Sequence, residues 1–199
     1  LAVLSEQSPV TLLDMQSRQT RQENVRSVGD ASITSFAWSP DGAQIAAGSA
    51  AQCTIFDFAT GDTVKKLDSP CVCVAWSPDG KQLATASSRY AVQIWDVEAG
   101  KVAAPVPASA TRLTWDRASQ RLFCLYSTQL SVFDPAEKKI ALTLPAALVS
   151  PASWSAGRDI VTGLMTDKLS LWDAATGKHL RDLPGHTAAV SAVSWSRDG

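Results

Sequence analysis

The hexapeptide Ala-Trp-Ser-Pro-Asp-Gly occurs twice in this sequence, at residues 37–42 and, unchanged, at residues 75–80. Weaker copies surround three further tryptophans, Trp115, Trp154 and Trp195, the last of which is followed by Ser-Arg-Asp-Gly. The five tryptophans thus recur at nearly equal intervals along the chain. Because a fixed period of this length is the mark of a repeat architecture, the spacing predicts that one structural unit recurs along the chain.

A second series, an aromatic residue followed by aspartate, lies between the tryptophans. Its members are Phe56-Asp57, Trp95-Asp96, Phe133-Asp134 and Trp172-Asp173, and they recur at the same interval as the first series. Two interleaved series therefore agree on one period.

Each repeat contains the pattern of four short strands. In the second repeat an apolar run at residues 71–75 leads to the Pro-Asp-Gly turn, and a second apolar run follows at residues 83–86. After a polar loop, residues 92–95 alternate as in a half-buried strand, and Ala99-Gly100 then marks a hairpin turn. Proline fixes φ in the first turn, and glycine accepts the positive φ that such turns require. Four strands joined by short turns predict an antiparallel meander.

A single four-stranded sheet cannot cover both of its faces, so adjacent repeats are expected to stack face to face. The tryptophan-aspartate ending of the third strand, the Ser-Pro-Asp-Gly turn, the period and Gly185-His186 shortly before Trp195 together resemble the WD-repeat β-propellers. The resemblance covers essentially the whole chain and implies an all-β propeller with four-stranded antiparallel blades.

The sequence departs from the family pattern at the residues that brace each blade. The resemblance implies a hydrogen-bonded set of His, Asp, Ser or Thr, and Trp, but only one repeat keeps Gly-His. Arg89 stands where Asp is expected before Trp95-Asp96, with Ala91 in place of Thr, and Asp167 is one residue out of register. We therefore expect several blades to be held by packing instead of by the full polar set.

The repeats predict one propeller domain over residues 1–199, with four complete blades and one blade split between the termini. The complete blades are residues 29–68, 69–107, 108–144 and 145–184, and the split blade combines strands two to four (residues 1–28) with a first strand from residues 185–199. Pairing of residues 192–196 with residues 1–4 would close a five-bladed ring. The alternative is part of a larger ring.

The split blade contains the one break in the period. The second, third and fourth strands of this blade are matched by residues 1–4, 10–14 and 24–28. The distance along the chain from Asp14 to Trp38 is longer than the equivalent distance from Asp57 to Trp76. The polar segment from Met15 to Asn24 contains the extra residues and is expected to be a solvated long hairpin or a partner-specific loop.

Composition limits the function classes. The chain is 45% hydrophobic and 19% charged, which is typical of a folded protein, and its net charge of -1 gives no general attraction to nucleic acid or to an anionic membrane. No apolar run approaches the roughly 20 residues of a membrane span. The sequence begins with Leu1, not Met, so a removed targeting segment stays an open alternative. We expect a protein or peptide partner, without nucleic acid or membrane.

The four cysteines indicate a reducing compartment. Cys53, Cys71, Cys73 and Cys124 form no CxxC pair, and alternation along a strand places Cys71 and Cys73 on one face. We interpret them as small buried apolar residues, which favours a cytoplasmic location.

No catalytic motif is found. The predicted innermost strands carry no carboxylate pair for glycoside hydrolysis, and His179 and His186 are the only histidines for a metal or a general base. Nucleophile-elbow, GxGxxG and Walker patterns are absent from the sequence. We expect no catalytic residue, no metal and no cofactor; the alternative is an enzyme or small-ligand binder that uses the channel mouth near Arg112.

The family resemblance implies a protein-interaction platform that uses the loops between second and third strands and between blades. Candidate partner-binding residues at these positions, together with the unusual charge on a first strand, are Arg89, Tyr90, Arg112, Asp30, Asp167, Lys168 and His186. Arg89 and Tyr90 are favoured because Arg and Tyr are enriched at binding hot spots. Arg112 is hypothesised to line a polar channel entrance. The alternative for all of them is an exposed loop without a partner.

Overall fold

The computed structural model describes residues 2–5, 8–13, 20–21, 33–87, 89, 91–116, 120–145, 152–154, 159–163, 167–188, 190 and 193. Every regular element in these ranges is a β-strand, and the strands form antiparallel meanders. The prediction of an all-β chain with four-stranded antiparallel blades is confirmed.

Four complete blades follow one another along the chain. Blade 1 consists of β4 (Ile33–Trp38), β5 (Gln44–Ser49), β6 (Cys53–Asp57) and β7 (Thr63–Leu67). Blade 2 consists of β8 (Cys73–Trp76), β9 (Gln82–Ala86), β10 (Ala91–Asp96) and β11 (Lys101–Ser109). Blade 3 consists of β12 (Arg112–Trp115), β13 (Leu122–Tyr126), β14 (Gln129–Asp134) and β15 (Lys139–Pro145). Blade 4 consists of β16 (Ala152–Trp154), β17 (Asp159–Gly163), β18 (Leu169–Asp173) and β19 (His179–Leu183).

A three-stranded sheet precedes blade 1, with β1 (Ala2–Ser5), β2 (Ser8–Leu13) and β3 (Thr20–Arg21). The outermost strand lies earlier than the predicted residues 24–28, because Thr20 and Arg21 pair with Leu13 and Leu12, inside the segment expected to be a long hairpin or a partner-specific loop. A polar outermost strand has no apolar face to show in its sequence, so its position was not recognisable. The predicted fourth strand at residues 24–28 and the closing strand at residues 192–196 lie almost entirely outside the described residues.

The repeated hexapeptide forms a turn that is closed by its own side chains. The Ser39 hydroxyl donates to Asp41 Oδ1 at 2.6 Å and accepts the backbone N–H of Gln44 at 2.9 Å. Gly42 has a φ of 73°, the left-handed conformation that its missing Cβ makes accessible. The second copy makes the same contacts through Ser77, Asp79, Gly80 and Gln82.

The aspartate of each aromatic-Asp pair closes the turn between the third and fourth strands. Asp57 Oδ1 accepts the backbone N–H groups of Ala59 and Thr60, both at 2.9 Å. Equivalent bonds are made by Asp96, Asp134 and Asp173. A β-bulge lies opposite the aromatic residue in all four blades, at Phe56, Trp95, Phe133 and Trp172. The periodic aspartates are therefore explained by turn geometry.

Three seams of the core lie between adjacent complete blades, and we number them first (blades 1 and 2), second (blades 2 and 3) and third (blades 3 and 4). A fourth cluster, which includes Ile45, Ala47 and Phe56, covers the other face of blade 1. Side chains alternate along each strand, so that Leu83 packs in the first seam and Ala84 in the second. The periodic tryptophans also bond across the seams. Trp76 Nε1 donates to the carbonyl of Ala37, and Trp115 Nε1 donates to that of Ala75, both at 3.1 Å. Apolar burial and these bonds hold adjacent first strands together.

Bracing within the blades differs between tryptophan and phenylalanine repeats. Trp95 Nε1 donates to Thr85 Oγ1 at 3.0 Å, and Trp172 Nε1 donates to Thr162 Oγ1 at 2.8 Å. Phe133, fully buried in blade 3, has no N–H to donate and contributes packing. This agrees with the expectation that some blades depend more on packing.

The four cysteines are free, and Cys53, Cys71 and Cys124 are buried while Cys73 is half-buried. The prediction that Cys71 and Cys73 share one face is wrong: Cys71 packs in the first seam and Cys73 against the second. Strand β8 begins only at Cys73, after a bend at Val72, so strand alternation does not extend back to Cys71.

Candidate functional site

An antiparallel meander places its connections alternately at two ends, so the blades have two rims. The turn rim carries the connections between first and second and between third and fourth strands, described at residues 39–43, 58–62, 77–81, 97–100, 135–138 and 174–178. The loop rim carries the connections between second and third strands, described at residues 50–52, 87, 89, 127–128 and 167–168, and the links between blades. Five of the sequence-predicted site residues are described, and they belong to loop-rim connections or lie next to them: Arg89, Arg112, Asp167, Lys168 and His186.

A groove of about 470 Å³ opens on the loop rim at the second seam. We call it the seam groove, and its lining consists of Arg89, Ala91, Val106, Pro107, Ala108, Ser109, Tyr126, Gln129 and Ser131. One wall therefore comes from the outer half of blade 2 and the other from the hairpin that joins β13 and β14 in blade 3.

The blade 2 wall is produced by an irregularity of β11. Ala91 pairs with Ser109, but the next residue, Val92, pairs with Val106, so Pro107 and Ala108 have no register partner in β10. The bulge opposite the aromatic residue recurs in every blade, whereas among the described ladders between third and fourth strands this second bulge occurs only in blade 2. Bulges bend a strand and re-aim its side chains, and this one forms a wall of the groove.

The blade 3 wall is a tight hairpin. Tyr126 pairs directly with Gln129, leaving a two-residue connection in which Ser127 has a φ of 51°. Gln129 Nε2 donates to Ser131 Oγ at 2.9 Å, and Ser131 is buried. Because the connection is so short, the side chains at the ends of β13 and β14 reach the rim.

Arg89 carries the only charge among the described residues that line the seam groove. The residue is exposed, and its backbone N–H donates to Ser87 Oγ at 3.3 Å. The other polar groups of this lining are neutral hydroxyls and one amide, from Ser109, Tyr126, Gln129 and Ser131. The groove is thus an uncharged surface with one cation at its edge.

The other sequence-predicted residues are not part of this groove's described lining. Arg112 is exposed at the start of β12, so it is not sealed between blades, and Asp167, Lys168 and His186 are exposed in loop-rim connections of blade 4. Tyr90 and Asp30 lie outside the described residues. The binding role of all seven residues stays a prediction.

Sequence reasoning missed Tyr126 and did not single out Gln129 among the candidate residues, although the structure brings both to the same groove as Arg89. Two signals pointed to this place. Pro105 and Pro107 interrupt a strand pattern, which indicates an edge strand or a bulge. The short spacing between the apolar runs of β13 and β14 indicated a tight hairpin, but neither signal says that the two features meet.

A second groove, of about 490 Å³, lies on the turn rim at the first seam. Four carboxylates, those of Asp41, Asp79, Asp96 and Glu98, and one ammonium, that of Lys81, line it around Trp76. The hydrogen bond from the Ser39 hydroxyl lowers the pKa of Asp41. Three of the four carboxylates accept turn hydrogen bonds, so the structure already explains why they are present.

The described residues contain no group of three or more His, Cys, Asp or Glu side chains arranged to hold a metal ion. Nor does the described part of the chain contain a helix of the length and apolarity needed to cross a membrane. Within the ranges that the structure covers, the lining of the seam groove includes neither a carboxylate nor a histidine. These side chains can therefore contact a partner through one guanidinium, several hydroxyls, one amide and an apolar surface.

Comparison with known sequences identifies the repeat. Residues 65–129 match the anaphase-promoting complex subunit 4 WD40 domain, and residues 22–57 and 177–199 match the WD domain, G-beta repeat. The chain is 31% identical over 121 residues to a ribosome biogenesis protein WDR12 homolog of Ixodes scapularis, covering 55% of this chain and 28% of that protein. It is 46% identical over 43 residues to autophagy-related protein 16 of Arabidopsis thaliana, covering 22% of this chain and 8% of that protein.

The architecture is also found among solved structures. U3-55K matches with a TM-score of 0.70 and 17% sequence identity, over 84% of this chain and 56% of that chain. The chain therefore spans about a quarter of the Ixodes relative and a little over half of U3-55K. At this low sequence identity the structural match shows the fold alone. The family assignment comes from the two sequence families that match the chain. The chain belongs to the WD-repeat β-propeller family.

Proposed function

We propose that this chain is a non-catalytic interaction scaffold that binds a protein or peptide partner through its loop rim. The observation that carries the proposal is the seam groove beside Arg89, which is built from features that the repeat does not require. A rigid scaffold with variable connections is the usual arrangement for recognition.

The relatives support a role in assemblies. One matched family is named for a subunit of the anaphase-promoting complex, and the Ixodes relative is named for ribosome biogenesis. Both names refer to the building or working of multi-component particles, which is the setting in which a scaffold acts. The buried free thiols further support a reducing compartment, and we propose the cytoplasm.

The alternative of an enzyme or a small-ligand binder is less well supported by the groove's chemistry. General acid-base catalysis needs a group that exchanges protons near neutral pH, usually His, Asp or Glu. The groove's described lining offers arginine, tyrosine, serine and glutamine instead. These residues suit hydrogen bonding and packing against a partner.

Site-specific photo-cross-linking tests the proposal. Ser109→p-benzoylphenylalanine places the probe on the loop rim, and Ala99→p-benzoylphenylalanine places a matched probe at an exposed position of the turn rim. Each variant is irradiated in lysate from its source cells, and adducts are identified by mass spectrometry. We expect defined protein adducts from position 109 that competition with unlabelled chain removes. Adducts from position 99 alone, or none from either position, would contradict the proposal.

A further inference from the structure

We infer that the seam groove binds an extended segment of its partner in which one carboxylate pairs with Arg89 and a neighbouring apolar side chain packs on Val106, Pro107 and Tyr126. The inference rests on the proposed function, and it adds the chemistry of the partner. It concerns features that the repeat does not place: Arg89, the second bulge of blade 2 at Pro107, and the two-residue hairpin that follows Tyr126.

The charge of the groove lining determines which charge the bound segment must carry. Arg89 is the only ionised residue in the described lining, and no carboxylate of that lining opposes it. A guanidinium presents paired N–H donors that match the two oxygens of a carboxylate, and such charge-assisted bonds are stronger than neutral ones. A basic segment would find no counter-charge among these residues and would meet Arg89 as a like charge.

Shape and polarity select an apolar neighbour for that carboxylate. Val106 is buried at the edge of the core, Ala108 and Tyr126 are half-buried, and Pro107 is exposed. At about 470 Å³ the groove lies within the roughly 300–1,000 Å³ of typical ligand sites. Tyr126 and Pro107 are rigid side chains, which lose little conformational entropy when a partner covers them.

The backbone of β11 favours an extended partner. The bulge leaves Pro107 and Ala108 without a register partner in β10, beside the open outer edge of blade 2. An extended peptide can hydrogen-bond to main-chain groups at such an edge while its alternate side chains point into the groove. Because Pro105 and Pro107 have only carbonyl groups to offer, main-chain pairing with the partner is limited to a short segment of this edge.

Nucleic acid is a less suitable anion for this groove. One cation does not follow a phosphate backbone, and the net charge of the chain is -1. A single carboxylate set in an otherwise uncharged segment matches the lining better than a polyanion does.

The test uses a random heptapeptide library displayed on phage and selected on the purified chain. We expect the enriched peptides to share an Asp or Glu next to an apolar residue. The most enriched peptide, labelled with fluorescein, is then titrated with the chain and its variants by anisotropy. We expect Arg89→Glu to weaken binding at least about tenfold, and Tyr126→Ala at least about fivefold.

Two controls separate the groove from charge in general. Lys81→Glu makes the same charge change on the turn rim, and we expect it to leave the affinity within about twofold. Arg89→Lys keeps the charge but loses the paired donors, so it should fall between wild type and Arg89→Glu. Unchanged thermal unfolding of each variant establishes that folding is not the cause.

Enrichment of basic or uncharged peptides, an affinity insensitive to Arg89→Glu, or the absence of any enriched peptide would overturn the inference. The scaffold proposal has its own readout in the cross-linking from position 109. If cross-linking succeeds and the peptide result fails, the partner binds the loop rim by other chemistry. If both fail, the proposed function fails with the inference.

Discussion

The turn rim repeats from blade to blade, whereas the loop rim changes at every blade. On the turn rim the same aspartate caps the turn before the fourth strand at Asp57, Asp96, Asp134 and Asp173. On the loop rim the connection between second and third strands has a different length in each of the four blades, and it is shortest in blade 3 and longest in blade 4. Polar residues that recur once in every repeat stabilise the blade. Polar residues that do not recur are the candidates for recognition of a partner.

The two grooves follow this division. The turn-rim groove is rich in carboxylates, but most of them are engaged in turns that the fold needs. The seam groove holds less charge, but Arg89 does not recur at the period. The bulge at Pro107 and Ala108 and the two-residue hairpin after Tyr126 have no counterpart in the other described blades. A charge count alone would favour the turn rim, whereas the absence of periodicity favours the loop rim.

The largest expected effect is at a repeat position in the core. Phe133→Ala removes a fully buried ring from the second seam, and we expect it to lower the free energy of unfolding by about 3–5 kcal/mol. Val102→Ala, at an exposed position of β11, is the matched control and should cost under about 0.5 kcal/mol. Urea titration measures both. A loss for Phe133→Ala no larger than that of the control would show that the seams do not hold the blades.

The seams should also respond to alkali. Burial, with a smaller contribution from Cys73, raises the pKa of the Cys124 thiol to about 12, while an unfolded thiol titrates near 8.5. The folded state therefore keeps the proton longer, and its stability falls as the pH rises from about 8.5 towards 12. By about pH 10.5 this should cost about 2–3 kcal/mol. Urea titrations across this range should show a shallower decline for Cys124→Ala; equal slopes would contradict the assignment.

A smaller loss is expected when a periodic polar residue of the turn rim is removed. Ser77→Ala deletes a buried hydroxyl that bonds Asp79 and the N–H of Gln82, and we expect a loss of about 1–2 kcal/mol. Ser109→Ala removes an exposed hydroxyl from the loop rim and should change stability by less than about 0.5 kcal/mol. Thermal unfolding of the two variants, measured side by side, checks this prediction. Equal losses of stability would contradict the proposed difference between the two rims.

The smallest effect on stability is expected at the loop rim itself. Arg89→Ala combined with Tyr90→Ala should change the free energy of unfolding by less than about 0.5 kcal/mol. The same double variant should weaken the binding of the partner by about 1 kcal/mol or more. Calorimetric titration of the selected heptapeptide, with urea titration of the same samples, separates the two quantities. A large stability loss without a binding loss would place these residues with the structural set.

The blades were predictable because their signal is periodic. Tryptophans such as Trp76 and Trp115 occupy the same place in successive seams, and Asp57 and Asp96 close the same turn, so spacing alone located strands and turns. Where the period was interrupted, prediction weakened. The outermost strand at Thr20 and Arg21 is polar and short, and nothing in those residue types distinguishes it from a loop.

The seam groove was only half predictable. Arg89 was recognisable as an exposed, aperiodic residue in a loop-rim connection, but its neighbours Tyr126 and Gln129 belong to the next repeat along the chain. Their meeting depends on how blade 2 stacks on blade 3 and on a bulge that two prolines only suggest. Tertiary placement of this kind has no local sequence pattern.

A mutational scan with two readouts tests the central claim most directly. Every substitution in residues 33–145 is displayed on yeast, and each variant is scored for surface abundance, which reports folding, and for binding of the selected heptapeptide. We predict that periodic positions of the turn rim and seams lose abundance and binding together, while positions around Arg89 and Tyr126 lose binding alone. Binding-only losses concentrated on the turn rim would contradict the account.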